Sequence, residues 1–99
     1  MGQTTKLTEP EIRTSLGALP GWSLLGGKLH REYRFADFIH AFGFMSTAAL
    51  SAEAMGHHPD WSNVWNRVTV DLWTHDAGGI TAKDFALAGK LEAIAHKLQ

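Results

Sequence analysis

The chain has no cysteine among its 99 residues. That absence excludes a disulfide framework, thiolate catalysis and any Cys-ligated metal. An excess of charge of one sign is missing too: nine Lys and Arg against ten Asp and Glu leave a formal net charge of −1. So even a balance argues against nucleic acid or an anionic membrane as the main partner. No apolar run approaches the ~20 residues that span a bilayer. The opening residues, Met1-Gly2-Gln3-Thr4-Thr5-Lys6, hold no apolar segment of a secretory signal. Repeats, low-complexity tracts and linkers are also absent. We therefore expect a cytoplasmic protein made of one domain, residues 1–99.

What is present is a core and a group of histidines. Apolar residues make up 44 % of the chain, enough to bury a small core. His57 and His58 are adjacent in the stretch Glu53-Ala54-Met55-Gly56-His57-His58-Pro59-Asp60-Trp61, and His75 follows on the next strongly patterned segment. An ordinary imidazole, with a pKa of roughly 6.5, both gives and takes a proton near pH 7.

Along the chain, residues 1–7 read as a frayed start. Thr8-Glu9-Pro10-Glu11 is a capping box with proline in the first turn. Ile12, Leu16 and Leu19 then share one helical face, and Pro20-Gly21 ends the helix. Trp22 to Leu25 and Lys28 to Phe35 read as strands joined by Gly26-Gly27 in a β-hairpin. On the second strand Leu29, Tyr33 and Phe35 share a face with Arg31. From Asp37 to Met55 the period is helical, with Phe38, Phe42, Met45 and Ala49 as one stripe. Ile39, Ala41, Phe44, Ala48 and Ala52 widen it past a single face. A helix so apolar is expected to be covered on two sides, one of them by another subunit, and Gly56 to end it. Val68 to His75 alternates as a strand, paired with Ser62–Trp65 through a turn near Asn66-Arg67. Asp76 to Gly79 is a loop. Thr81-Ala82-Lys83-Asp84 starts a last helix with Leu87, Leu91, Ile94 and Leu98 on one face. The order α-β-β-α-β-β-α predicts an α+β two-layer sandwich: an antiparallel sheet with the helices on one face.

His57 and His58 stand just past a helix end and before a proline. Proline fixes its own backbone and biases the residue before it toward extended geometry. Such rigidity suits proton transfer, which demands placement within hydrogen-bond reach. The same residues also fit a polar loop with one surface histidine and one capping a helix C-terminus. Metal fits less well, because adjacent side chains in an extended segment point to opposite sides and the spacing is not His-Glu-x-x-His. We expect none. His75 would end its strand on the face of Asp71 and Trp73, where a lone histidine is more often structural. Asp84 can cap the last helix, fix an imidazole's tautomer, or do both. Glu53, one turn before His57, can orient it or stay solvated. Trp61, Trp65 and Trp73 suit core or dimer packing, or a wall that stacks on a flat heterocycle.

The assembled pattern, Glu53-x3-His57-His58-Pro59-x5-Trp65-x9-His75-x8-Asp84, closely resembles the signature of the pterin-4a-carbinolamine dehydratases. Gly21-Trp22, Ala41-Phe42-Gly43-Phe44-Met45 and Asn63-Val64-Trp65-Asn66-Arg67-Val68 are similar to that family as well, and position 65 is Trp where relatives often have Tyr. The resemblance implies a four-stranded antiparallel sheet with three helices on one side. It implies dehydration of 4a-hydroxytetrahydropterins, such as 4a-hydroxytetrahydrobiopterin, to quinonoid dihydropterins, which recycles the cofactor of aromatic amino acid hydroxylases. It implies neither a metal nor an organic cofactor. His57, His58 and His75 would line the pterin pocket, with His57 and His75 as the acid–base pair. Glu53 and Asp84 would orient imidazoles, and Trp22, Pro59 and Trp61 would lie against the substrate. The expected partners are the pterin and further copies of the chain, as a homodimer or homotetramer built partly on helix 37–55. Animal members also act as a dimerisation cofactor of a homeodomain transcription factor, a role no residue here supports. Two alternatives stay open: a non-catalytic oligomeric module that binds protein through its apolar middle helix, and a dehydratase-like protein acting on another pterin, for instance in molybdopterin metabolism.

Overall fold

A computed structural model describes residues 5–99. The order of elements is the expected one: α1 (Glu9–Leu16), β1 (Ser23–Leu25), β2 (Lys28–Arg34), α2 (Phe38–Met55), β3 (Asp60–Val64), β4 (Arg67–Leu72) and α3 (Ala82–Leu98), with a short 3-10 turn at His75–Ala77. The strands form one antiparallel sheet in the order β1-β2-β4-β3. Strand alternation sends Leu29, Tyr33, Val68, Val70 and Leu72 to the buried face, where they meet Ala41, Phe44, Ala48 and Ala52 of α2 and Leu87, Ala88, Leu91 and Ala95 of α3.

Local chemistry sets the boundaries. Thr8 and Glu11 close the capping box of α1, and the Asp37 side chain accepts from the His40 N–H at the start of α2. Gly26 and Gly27, with φ of 60° and 76°, make the tight turn between β1 and β2. Gly21 answers a different need. Its φ is 92°, and a Cβ there would sit 1.8 Å from Arg31 Nη1. Arg31 itself lies over the Tyr33 ring, on the face expected for it.

Four expectations need correction. Residues 1–4 of the expected frayed start lie outside the described residues, but Leu7 is tied down: its N–H donates to the Ile80 carbonyl at 2.8 Å. The first helix stops at Leu16, not at Pro20. The N–H groups of Gly17, Ala18 and Leu19 each reach back three residues, so the chain tightens into turns and Leu19 packs from there. On α2 the core face is Ala41, Phe44, Ala48 and Ala52, while Phe38 and Phe42 of the expected main stripe are exposed. Three small alanines beside Phe44 let α2 lie close to its neighbours, while Phe38, Ile39, Phe42 and Leu50 face out. Lastly, β4 ends at Leu72 and its hairpin turns at Trp65-Asn66, with Trp65 at φ 50°. Asn63 secures that turn by donating to the Trp65 and Arg67 carbonyls. His75 thus begins a 3-10 turn and does not end a strand. Thr74 and Gly79 pair backbone to backbone across that turn, and Gly78 at φ 71° closes it.

Candidate active site

The end of α2 fixes His57. Gly56 is left-handed at φ 65°, its N–H bonds to the Glu53 carbonyl, and the His57 N–H bonds to the Ala52 carbonyl at 3.1 Å. This is a Schellman motif, which sets the His57 backbone as part of the helix terminus. The His57 side chain is buried, and its Nε2 lies 2.5 Å from Asp84 Oδ1.

Asp84 has no exposed surface. Its Oδ2 accepts from the Thr81 N–H at 2.9 Å and from the Thr74 hydroxyl at 2.8 Å. Thr81 caps α3 in return. Both roles read from the sequence therefore hold at once: the carboxylate completes the capping box and meets an imidazole. Because the carboxylate accepts, Nε2 carries the hydrogen of a neutral His57, and Nδ1 keeps the lone pair.

A cavity of about 270 Å³ opens beside this pair. Its lining includes His57, His58 and His75, with Trp73, Thr74, Asp76 and Lys83. Three imidazoles from two separate loops thus face one space. Glu53 pairs with His58, at 2.8 Å, and not with His57 as its spacing suggested. The Schellman turn rotates His57 inward toward α3, which leaves His58 over the exposed last turn of α2. Among the described residues no cluster of three or more His, Asp or Glu is arranged to hold a metal ion.

Three residues expected near the substrate do not line this cavity. Trp22 is buried, and its Nε1 donates to Glu92 Oε1 at 2.7 Å. The Tyr33 hydroxyl donates to the same oxygen at 2.8 Å, so Trp22 belongs to a polar knot under β2. Trp61 pairs with Val70 in β3 and packs on the core, since alternation turns it to the helix side. Pro59 is half-buried, and neither it nor Trp61 is part of the cavity lining. Conversely, Thr74 and Lys83 went unread in the sequence. Thr74 sits one residue before His75, and Lys83 lies inside the second capping box; those positions were the only signal available.

A family model described as pterin 4 alpha carbinolamine dehydratase matches residues 5–94. A protein of Solibacter usitatus, provisionally named pterin-4-alpha-carbinolamine dehydratase, is 70 % identical over 92 residues, covering 93 % of this chain and 97 % of its own. A Burkholderia multivorans protein with the same provisional name is 51 % identical over 92 residues, covering 91 % and 90 % of the two chains. The crystal structure of a transcriptional coactivator/pterin dehydratase from Brucella melitensis superposes with a TM-score of 0.89 at 47 % identity, over 92 % of this chain and 99 % of that one. A pterin dehydratase-like RuBisCO assembly factor of the alpha-carboxysome shares the fold alone, with a TM-score of 0.67 at 21 % identity over 78 % and 92 % of the chains.

Proposed function

This chain belongs to the pterin 4 alpha carbinolamine dehydratase family, and from that premise we propose that it dehydrates a 4a-hydroxytetrahydropterin to the quinonoid dihydropterin and water. The observation that carries the reading is the buried His57–Asp84 pair opening on a cavity shared with His58 and His75. Loss of the 4a-hydroxyl breaks a C–O bond. The hydroxyl leaves as water if it receives a proton, and the adjacent ring nitrogen gives up its proton as the C=N bond forms. One group must donate and another must accept.

His57 suits the accepting role. Asp84 fixes the tautomer that leaves Nδ1 with its lone pair, and stabilises the imidazolium once it forms. His75, which lines the same cavity, is the proposed donor, and His58 binds the substrate or passes a second proton. General acid–base help of this kind contributes ~10²–10⁴-fold. No step needs a metal or an organic cofactor. The substrate class that fits is the carbinolamine left by a pterin-dependent aromatic amino acid hydroxylase. The test is to generate 4a-hydroxytetrahydrobiopterin in situ and follow quinonoid dihydropterin. Acceleration over the spontaneous rate supports the reading, and equality with it contradicts it.

The same premise extends to assembly. Phe38, Ile39, Phe42 and Leu50 of α2 are 48 %, 77 %, 55 % and 74 % exposed. Large apolar side chains collected on one helix mark an interaction surface. A homo-oligomer, dimer or tetramer, formed through α2 would cover them. No helix among the described residues is long and apolar enough to cross a membrane, and the proposed location is the cytoplasm.

A further inference from the structure

The three imidazoles at the cavity are not held alike. His57 has Asp84 and His58 has Glu53. Among the described residues no carboxylate and no hydrogen bond holds the His75 ring. What it has is Trp73: the two ring centroids are 4.2 Å apart, with the planes tilted by 41°. We infer that Trp73 is a positioning residue for His75, holding the imidazole over the cavity by ring contact where its two neighbours are held by carboxylates.

Trp73 is itself well placed to do this. The β2–β4 register pairs Leu29 with Leu72 and His30 with Asp71, and Lys28 and Trp73 each stand one residue beyond the Leu29–Leu72 pair. The Lys28 ammonium lies over the indole, 5.3 Å from a ring centroid, and 3.7 Å from Asp60 Oδ2. A cation over an indole face is attracted by the ring quadrupole. The indole is thus tied to Lys28 of β2, and it stands between the end of β4 and the His75 turn. His75 needs such a brace because the turn that carries it is short and exposed. An aromatic pair of this kind biases ring orientation by roughly two- to tenfold. The indole already serves two neighbours, so it acts on the reaction through His75 and not as a platform for the pterin.

The consequence for turnover rests on the dehydratase reading; the ring contact does not. Two readouts therefore go together, on full-length wild type, Trp73→Leu and Trp73→Phe. In the proton NMR spectrum the indole ring current displaces the His75 Cε1–H resonance. Trp73→Leu should return it toward the value of a free imidazole, and Trp73→Phe should restore part of the displacement, with the His57 resonance unmoved in both. In the dehydratase assay Trp73→Leu should lower kcat by roughly three- to tenfold with KM little changed, and Trp73→Phe should recover most of the loss. An unmoved His75 resonance in Trp73→Leu overturns the proposal. So does a raised KM with kcat intact, which would make the indole a substrate platform. A wild type with no dehydratase activity overturns the reading of the cavity, while the resonance still decides whether Trp73 holds His75.

Discussion

Asp84 joins two things that the chain brings from far apart. Its Oδ1 lies 2.5 Å from His57 Nε2 across 27 positions of sequence, and its Oδ2 closes the capping box at the start of α3. The helix cap and the imidazole share one buried carboxylate, so the stability of α3 and the orientation of His57 depend on the same group.

Asp84→Asn separates this pair from the looser one at the cavity rim. An amide cannot accept at both positions, so either the Thr81 N–H or the His57 ring loses its acceptor. We expect a loss of about 2 kcal/mol in denaturant unfolding and a fall in turnover of ~10²-fold or more, the scale of a removed acid–base partner. Glu53→Gln should behave differently. The Glu53–His58 pair is solvent-exposed, and such pairs contribute little. Unfolding should be nearly unchanged and turnover reduced only a few-fold. Equal losses from the two substitutions would remove Asp84 from its special place.

Much of this site could be read in the sequence, and the reason is local. Thr81-Ala82-Lys83-Asp84 declares a capping box, and Gly56 before His57 declares a helix end; both are short-range signals, and both hold. What failed was long-range or rotational. Glu53 sits at the right spacing to reach His57 only if the helix continues, and the Schellman turn breaks that continuation. Trp22 precedes a strand in either account, but its Nε1 finds Glu92, seventy residues away, which no local pattern announces. On α2 the hydrophobic period could not say which face meets the sheet, because nearly every face is apolar; the buried one is Ala41, Phe44, Ala48 and Ala52.

Tyr33 predicts the behaviour in alkali. Burial raises its phenol well above the ordinary value of 10.0, and the hydrogen bond it donates to Glu92 adds to the effect. The unfolded chain ionises first as pH rises, so proton loss favours unfolding. This contribution is intact below pH 10 and is lost as the pH climbs from there. Tyr33 is the single tyrosine, so the tyrosinate absorbance reports it alone. We expect that signal to appear only together with unfolding. Tyr33→Phe should cost about 1–2 kcal/mol at neutral pH and flatten the alkaline decline. A phenol that titrates near 10 in the folded protein would contradict this.

The exposed face of α2 predicts assembly. Ile39 and Phe42 are the substitutions of choice, since neither is part of the buried core. In Ile39→Glu, Phe42→Glu protein, light scattering should give the mass of one chain, against a dimer or tetramer for wild type, with the far-UV circular dichroism preserved. A monomeric wild type would contradict the proposed interface.

The most direct test of the central claim is turnover of 4a-hydroxytetrahydrobiopterin by wild type beside His57→Ala and His75→Ala, with folding checked by thermal unfolding. Wild type should accelerate formation of the quinonoid dihydropterin, and each variant, still folded, should fall ~10²-fold or more. A folded His57→Ala protein with undiminished turnover would remove the His57–Asp84 pair from the chemistry and contradict the account.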